Sequence, residues 1–170
     1  MDMIQKILIA NRAEIAVRII RTCKKMGIQT VAVYSTADTN AYHVQLADQA
    51  VCIGKPASQF SYLHMNNLIE AACSTGCDAI HPGFGFLSEN ARFARLVQQC
   101  GLIWIGPKPE IIEKLGNKTA AKKTMQQAGI PIIQGSDGSV SMKDGKALAD
   151  ALGYPVIIKE FFPYGYAQRA

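Results

Sequence analysis

Short apolar runs alternate with amphipathic stretches between residues 6 and 105. The runs with the length and composition of buried strands are 6–10, 30–34, 49–53, 79–80 and 102–105. The stretches between them that predict helices are 13–26, 61–76 and 90–99. Strands separated by helices of this length predict an α/β fold with a doubly wound parallel sheet, helices on both faces and right-handed crossovers.

Local signals predict where these helices begin and which face they bury. Asn11 and Ser61 are residue types that cap helix N-termini, so we expect them to cap the first and second helices. In the first helix, the apolar positions at helical spacing that predict the buried face are Ile15, Ile19, Thr22, Cys23 and Met26. Gly27 is the expected stop signal of this helix.

The pattern changes after Gly106 and Pro107, where we expect a first, Rossmann-like domain (1–107) to end. The remainder, 108–170, predicts linker helices and the incomplete start of a second domain. Its predicted elements are helices at 108–115, 117–127 and 143–152, the beginning of a strand at 132–133, and a strand at 155–159.

Composition and charge exclude several classes of protein. Hydrophobic residues make up 49% of the 170 residues, and no apolar run approaches the roughly 20 residues that span a bilayer. The N-terminus also lacks a signal-peptide cleavage site, so we expect a cytoplasmic protein with no membrane partner. The net charge is +5, but the lysines are dispersed and aromatic residues do not alternate with them. We therefore expect no nucleic-acid partner, and a basic site for a phosphorylated small molecule fits at least as well.

The five cysteines do not form a recognisable metal or disulfide pattern. Cys73 and Cys77 are closely spaced, but no second pair or histidine cluster completes a zinc site. Most of the cysteines lie inside apolar segments, which favours buried free thiols and no metal site.

Two segments follow predicted strands at the edge where open α/β sheets bind ligands. In IANRAEIA (9–16) a strand leads directly into a helix N-terminus, which suits an anion, although a plain turn with two solvated charges is the alternative. In HPGFGFLSEN (81–90), two glycines and a proline allow the backbone to approach a ligand. The alternative is an ordinary loop with Phe84 and Phe86 in the core. Taken alone, His81 is predicted to have a structural role and not to act as a base.

Two lysines are candidates for phosphate contacts. Lys118, in GNKT (116–119), stands near a predicted helix start, but the glycine spacing of a Walker motif is missing, so a solvated helix lysine is the alternative. Lys159 ends the apolar strand GYPVIIK (153–159), where a lysine is costly unless it is paired, aimed at a ligand or exposed at the strand end. The absence of G-x-G-x-x-G disfavours a nicotinamide-dependent enzyme.

Taken together, the ordered motifs resemble the amino-terminal region of biotin carboxylases. The motifs are IANRAEIAVRIIR (9–21), VAVYSTAD (31–38), HPGFGFLSEN (81–90), IGP (105–107), GNKTAAK (116–122), GSDG (135–138) and GYPVIIK (153–159). The resemblance implies an ATP-grasp domain after the first domain, and an ATP-dependent ligase that activates bicarbonate as carboxyphosphate and carboxylates biotin on a carrier protein. It places ATP on Lys118 and Lys159 and implies Mg²⁺ as a further cofactor.

The same resemblance implies partners and the placement of the remaining residues. It implies a biotin carboxyl carrier protein, a carboxyltransferase and a homodimer with contacts at Arg18 and Arg21, and acetyl-CoA carboxylase in fatty acid synthesis is the expected parent. The catalytic residues are expected beyond residue 170, and no metal ligand is expected before it. The rival interpretation is a non-catalytic dimerisation or partner-binding module.

Three departures from the family pattern affect these expectations. Ala13 replaces a glycine and is strained if its φ is positive. Phe84 replaces a tyrosine, which removes a hydroxyl on the biotin side. Residues 160–170 carry aromatic side chains where the family has a glycine-rich phosphate loop, so we expect this polypeptide alone to be inactive.

Overall fold

The computed structural model describes residues 4–116, 118–136 and 140–157. These residues belong to two compact units that divide after residue 117. The first unit contains β1 (Lys6–Ile9), α1 (Ala13–Lys25), β2 (Gln29–Ser35), α2 (Tyr42–Leu46), β3 (Gln49–Gly54), α3 (Met65–Ser74), β4 (Ala79–His81), α4 (Ala91–Gln99), β5 (Ile103–Trp104) and α5 (Pro109–Gly116). The second unit contains α6 (Lys118–Gln127) and α7 (Met142–Leu152).

The strands of the first unit form one sheet in the order β3-β2-β1-β4-β5. Every neighbouring pair is parallel, and Ile9 of β1 lies opposite Ala32 of β2 and His81 of β4. The predicted α/β class and doubly wound parallel sheet are confirmed. The chain fills one side of β1 with β2 and β3 and then crosses to the other side with β4, so the strand order reverses between β1 and β4.

Alternating side chains of the central strand pack against different helices. Leu8 lies in a cluster with Leu68 of α3 and Val97 of α4, whereas Ile7 packs with Ile20 of α1. The side chains point to opposite faces because successive residues of a strand do so. Helices therefore cover both faces, with α1 on one side and α3 and α4 on the other.

The buried face of α1 differs from the predicted one. Its buried residues are Ala16, Val17, Ile20 and Cys23. Ile15 and Ile19 are only half-buried, Thr22 is exposed, and Met26 after the helix is 66% exposed. Of the predicted face, only Cys23 is therefore correct. Apolar residues occupy a wide arc of this helix, so periodicity alone could not determine which part of the arc faces the sheet.

Two predicted helix caps are wrong. The N-cap of α1 is Arg12, and its side chain makes no capping hydrogen bond. Asn11 does not cap the helix, because its amide donates to the loop after β4. His64 caps α3 by accepting from the Asn67 N–H, whereas the Ser61 hydroxyl donates to the carbonyl of Ala57. Helix α3 accordingly begins at Met65, later than predicted. The short helix α2 was not predicted.

The five cysteines are free, but only two are buried. Cys23 and Cys77 are buried, whereas Cys52, Cys73 and Cys100 are exposed. The prediction of free thiols is confirmed. The prediction of burial is wrong for the exposed three, because their side chains do not point into the core. Within the described ranges, no helix has the length and apolarity that crossing a membrane requires.

Among its described residues, the second unit contains the predicted helices but no strand. Ser141 caps α7 by accepting from the Asp144 N–H at 3.1 Å. Neither 131–136 nor 153–157 forms a strand, because a strand needs a neighbour and the described residues of this unit provide none. The rest of the second predicted strand, with Lys159, lies outside the described residues.

The position of α5 bears on the boundary between the units. Ile112 of α5 joins the same apolar cluster as the residues of α3 and α4, and Arg95 of α4 forms an ion pair with Glu113. This helix therefore packs within the first unit, although the predicted boundary after residue 107 precedes it.

Candidate functional site

Two loops meet at the carboxyl edge of the sheet because β1 and β4 are parallel neighbours. The backbone N–H of Ala10 donates to the carbonyl of His81 at 2.9 Å, and this is where both strands end. The segment 11–15 and the loop 82–86 are therefore adjacent, at the point where the strand order reverses. Open α/β sheets bind ligands at such a point. Residues 11–15 and 84–86 line a cavity of about 330 Å³ there.

Asn11 holds the loop after β4 in place. Its side chain is 1% exposed, and its amide donates to the carbonyl of Pro82 and to that of Phe84, both at 2.8 Å. Its Oδ1 accepts from the Arg12 N–H at 2.9 Å, so both ends of the amide are used. Gly83 fits against this side chain with φ +68°, where an added Cβ would lie 2.8 Å from Nδ2 of Asn11. The close approach therefore requires glycine.

Ala13 occupies a conformation that favours glycine. Its φ is +51°, in the left-handed region that residues with a Cβ rarely adopt. The backbone turns there from β1 into α1, directly beside Asn11. The expectation that Ala13 is strained if its φ is positive is thus met.

The two aromatic residues of the loop have different environments. Phe84 is 77% exposed, so its ring is available to a ligand. Phe86 is half-buried and stacks on Tyr62, with the ring centroids 5.0 Å apart and the planes at 11°. Phe86 also has φ +41°, which is a second strained position in this loop. The alternative in which both rings lie in the core is therefore wrong for Phe84.

Arg12 connects the aromatic pair to an acidic residue. Its guanidinium carbon lies 5.3 Å from the ring centroid of Tyr62 and 5.5 Å from that of Phe86, within cation–π range. One of its nitrogens lies 3.7 Å from Oδ2 of Asp38. Arg12 is therefore not merely a solvated charge, because it braces the loop that carries Phe84.

Asp38 is the centre of a hydrogen-bond network at the end of β2. Its Oδ2 accepts from the Ser35 hydroxyl at 2.6 Å and from the Tyr62 hydroxyl at 2.7 Å. Burial alone would raise the pKa of Asp38, but these hydrogen bonds and the charge of Arg12 outweigh it and lower the pKa below its ordinary value. Burial, followed by the bond to Asp38, raises the pKa of Tyr62, which remains a neutral donor.

His81 serves the geometry of the loop. Its Nδ1 accepts from the Gly83 N–H at 3.0 Å, and burial lowers the pKa of the ring. A neutral ring with Nδ1 as an acceptor is consistent with the structural role that the sequence favoured.

The side chains of the two predicted ATP lysines lie outside the described residues. Lys118 is the first residue of α6, and its side chain is outside the described part of the chain, as is all of Lys159. Their roles stay predictions. In the described ranges, no group of three or more His, Cys, Asp or Glu residues could hold a metal ion. Asp38 and Tyr62 were not among the predicted site residues. The signal available for Asp38 was its place just after a buried strand.

Comparison with known proteins identifies the chain. The family described as biotin carboxylase, N-terminal domain, matches residues 3–112. The chain belongs to the biotin carboxylase family. A second family, described as carbamoyl-phosphate synthase L chain, ATP binding domain, matches residues 117–166, and this supports the predicted start of an ATP-grasp domain.

Individual members of the biotin carboxylase family agree with this. Biotin carboxylase 1 of Bacillus subtilis (strain 168) is 55% identical over 158 residues, which cover 92% of this chain and 35% of that protein. The biotin carboxylase–β-γ-ATP complex of Campylobacter jejuni is 45% identical with a TM-score of 0.84, covering 90% of this chain and 34% of the other.

A third relative was solved with ligands. It is the biotin carboxylase domain dimer of the Hydrogenobacter thermophilus 2-oxoglutarate carboxylase, in complex with MgADP, ADP and bicarbonate. It is 44% identical with a TM-score of 0.83, over 91% of this chain and 34% of the other. The chain thus spans about a third of the length of the relatives it matches.

Proposed function

We propose that this chain forms the amino-terminal part of an ATP-dependent biotin carboxylase, a ligase that carboxylates biotin on a carrier protein with bicarbonate. The observation that carries the proposal is the loop 82–86, which Asn11 fixes at the carboxyl edge with Phe84 exposed. An exposed aromatic ring on a braced loop fits the apolar ring system of biotin. Phe84 is accordingly the residue that we assign to the biotin side.

The nucleotide belongs to the second segment in this proposal. Lys118 and Lys159 act as point charges on the phosphates of ATP, with Mg²⁺ neutralising the rest. The match of 117–166 to an ATP-binding domain and the MgADP and bicarbonate bound by the Hydrogenobacter relative support this. We propose 1–107 as the amino-terminal domain and 108–170 as linker helices and the start of the ATP-grasp domain, with α5 as the linker helix that packs within the first unit. What the protein contributes to phosphoryl transfer is positioning and charge neutralisation.

The finer assignments are part of the same proposal. Acetyl-CoA carboxylase in fatty acid synthesis is the proposed parent activity, with a biotin carboxyl carrier protein and a carboxyltransferase as partners. A homodimer with contacts at Arg18 and Arg21 is supported by the dimer of the Hydrogenobacter domain and by the exposure of both side chains.

A chimera tests the activity. Residues 4–157 of this chain would replace the matching segment of the Bacillus relative, and ATP hydrolysis would be measured with and without bicarbonate and free biotin. We expect hydrolysis that depends on both. Within the chimera, Lys118→Ala is expected to lower it at least about tenfold, since a phosphate contact in a low-dielectric site contributes 1.4 kcal/mol or more. Lys123→Ala, an exposed lysine of the same helix, is the matched control.

A folded chimera without biotin-dependent hydrolysis would refute the proposal. Equal activity of the Lys118→Ala and Lys123→Ala variants would refute the role of Lys118 alone. The chain as given has aromatic side chains at 160–170 where the resemblance implies glycines, and we propose that by itself it shows no such hydrolysis.

A second candidate is a non-catalytic dimerisation or partner-binding module. The observation that favours it is the basic, exposed surface of α1, which includes Arg18 and Arg21. Light scattering combined with MgATP titration of the 170-residue chain separates the two. Dimers that do not bind ATP support the module, whereas ATP binding that Lys118→Ala weakens supports the carboxylase.

A further inference from the structure

Phe84 and Phe86 lie only two residues apart but face different surroundings. In an extended segment, side chains two positions apart project to the same side. Here Phe84 is 77% exposed, whereas Phe86 packs against the core cluster. The segment is interrupted by two consecutive left-handed residues, Gly85 with φ +73° and Phe86 with φ +41°. The direction in which the ring of Phe84 points is therefore tied to the backbone conformation of Phe86.

The ring of Phe86 is what holds this residue in the left-handed conformation. The conformation costs free energy, because a side chain with a Cβ is crowded by the backbone there. The ring compensates by stacking on Tyr62, and the guanidinium carbon of Arg12 lies 5.5 Å from its centroid. The amide of Asn11 holds the loop only as far as the carbonyl of Phe84. The ring stack is therefore the attachment of the loop beyond that point.

Tyr62 is itself fixed by its hydroxyl. The residue is 0% exposed, so it does not reach a ligand at the surface. The hydroxyl accepts from the Ser35 N–H at 3.1 Å and donates to Oδ2 of Asp38 at 2.7 Å. A phenol that uses both its donor and its acceptor on fixed partners leaves its ring one position. The end of β2, where both partners lie, thereby determines where the stack stands.

We propose that Tyr62 is a positioning residue for the biotin side: its anchored ring keeps Phe86 left-handed and thereby directs the ring of Phe84 outward. The inference rests on the proposed function, since biotin is the group that Phe84 meets there. Phe84 and Phe86 line the cavity at the carboxyl edge, and Tyr62 is not among its lining residues. Tyr62 therefore acts through the two phenylalanines and not by contact with the ligand.

Tyr62→Phe in the chimera tests the proposal, because it keeps the ring and removes only the hydroxyl. The KM for free biotin should rise about fivefold, which corresponds to about 1 kcal/mol of lost aromatic contact, while the KM for ATP stays unchanged. Phe86→Leu removes the stack but leaves the buried hydroxyl bonds in place, and it should have the same effect. Tyr42→Phe removes an exposed hydroxyl on α2 and should change neither constant.

A double-mutant cycle separates positioning from a general loss of stability. Phe84→Ala alone should raise the KM for biotin at least as much as Tyr62→Phe does. In the Phe84→Ala background Tyr62→Phe should add nothing, since it acts through that ring. Leu102→Ala removes a buried side chain just before β5, at the opposite edge of the sheet. It should lower Tm without changing the KM for biotin.

Hydrogen exchange on the 170-residue chain gives a readout that does not depend on activity. The Ser88 N–H donates to the carbonyl of Gly85 at 2.9 Å, whereas the Gly83 N–H donates to Nδ1 of His81 at 3.0 Å. Tyr62→Phe should speed exchange at Ser88 about fivefold, for the same loss of about 1 kcal/mol. Exchange at Gly83 should stay unchanged, because its bond to the histidine does not depend on the stack.

Each result bears on one claim. In an active chimera, an unchanged KM for biotin in Tyr62→Phe, or an equal further rise in the Phe84→Ala background, refutes the positioning role. A chimera without biotin-dependent hydrolysis contradicts the proposed function, and hydrogen exchange then decides whether Tyr62 holds the loop. Equal exchange at Ser88 in the parent and in Tyr62→Phe refutes that attachment.

Discussion

Replacing Ala13 by glycine should stabilise the first unit, although glycine at a helix start usually does the opposite. At φ +51°, the Cβ of Ala13 is crowded by the backbone, which costs about 1–2 kcal/mol in the left-handed region. Glycine removes that cost but loses up to about 1 kcal/mol through the greater freedom of the unfolded chain. The midpoints of these two ranges leave an expected net gain of about 1 kcal/mol in the free energy of unfolding.

Thermal unfolding followed by circular dichroism measures this gain. For a unit of this size, about 1 kcal/mol corresponds to a rise in Tm of about 4–8 °C, and this is the rise expected of Ala13→Gly. Ala91→Gly, at the first residue of α4, is the matched control. It makes the same chemical change at a position without positive φ and should lower Tm.

The result that refutes this reasoning is a Tm of Ala13→Gly at or below that of the parent. Such a result would mean that the backbone relaxes around Ala13 and that the left-handed conformation carries no cost. If Ala13→Gly and Ala91→Gly changed Tm equally, the effect would belong to glycine in general and not to this turn.

Three further perturbations probe the site and the core. Asn11→Asp should destabilise the first unit by about 2–4 kcal/mol, because a carboxylate would face two carbonyl oxygens and repel them. The loss should exceed that of Asn11→Ala. A smaller loss of stability for Asn11→Asp than for Asn11→Ala in chemical denaturation would contradict this. Because the pKa of Asp38 is lowered in the folded protein, its stabilisation is present above the ordinary pKa of 3.8 and is lost as the pH falls through the lower folded value. Asp38→Asn should therefore flatten the plot of unfolding free energy against pH in that acidic range. An unchanged plot would contradict the network. His43 is buried with Nδ1 unpartnered, and burial lowers its pKa, so the free energy of unfolding should fall as the pH drops below the ordinary 6.5. His43→Gln should reduce this loss of stability, measured by urea titration at pH 5 and pH 7. An equal loss between the two pH values in the parent and the variant would contradict the prediction.

The sheet could be predicted from the sequence because its strands are short apolar runs between turn signals. Their parallel arrangement follows from the intervening helices, since each crossover forces the next strand into the same direction. The strand predicted to begin at 132–133, and the described residues 155–157 of the strand predicted at 155–159, fail for the complementary reason. A β-branched run becomes a strand only where another strand pairs with it, and sequence pattern does not report the neighbour.

The candidate site could be predicted only in outline. The segment 9–16 and the loop 81–90 were recognisable because both follow strands that end at the same edge. The role of Asn11 could not be foreseen, because an asparagine before a helix is equally a cap or a long-range donor. Tyr62 and Asp38 were missed since they come from elements distant in sequence, and only the fold brings them to Arg12 and Phe86.

The contacts of Asn11 have a consequence for the order of folding. The amide and its two carbonyl acceptors are separated by 71 and 73 positions, and β2, β3 and α3 lie between them in the chain. Contacts of such separation pay a large loop-closure entropy and form late. During synthesis, β1 remains without its β4 neighbour until residue 81 has left the ribosome. The Phe84 loop therefore becomes ordered only once the central pairing of the sheet is complete, and its protection from hydrogen exchange should be among the last to develop on refolding.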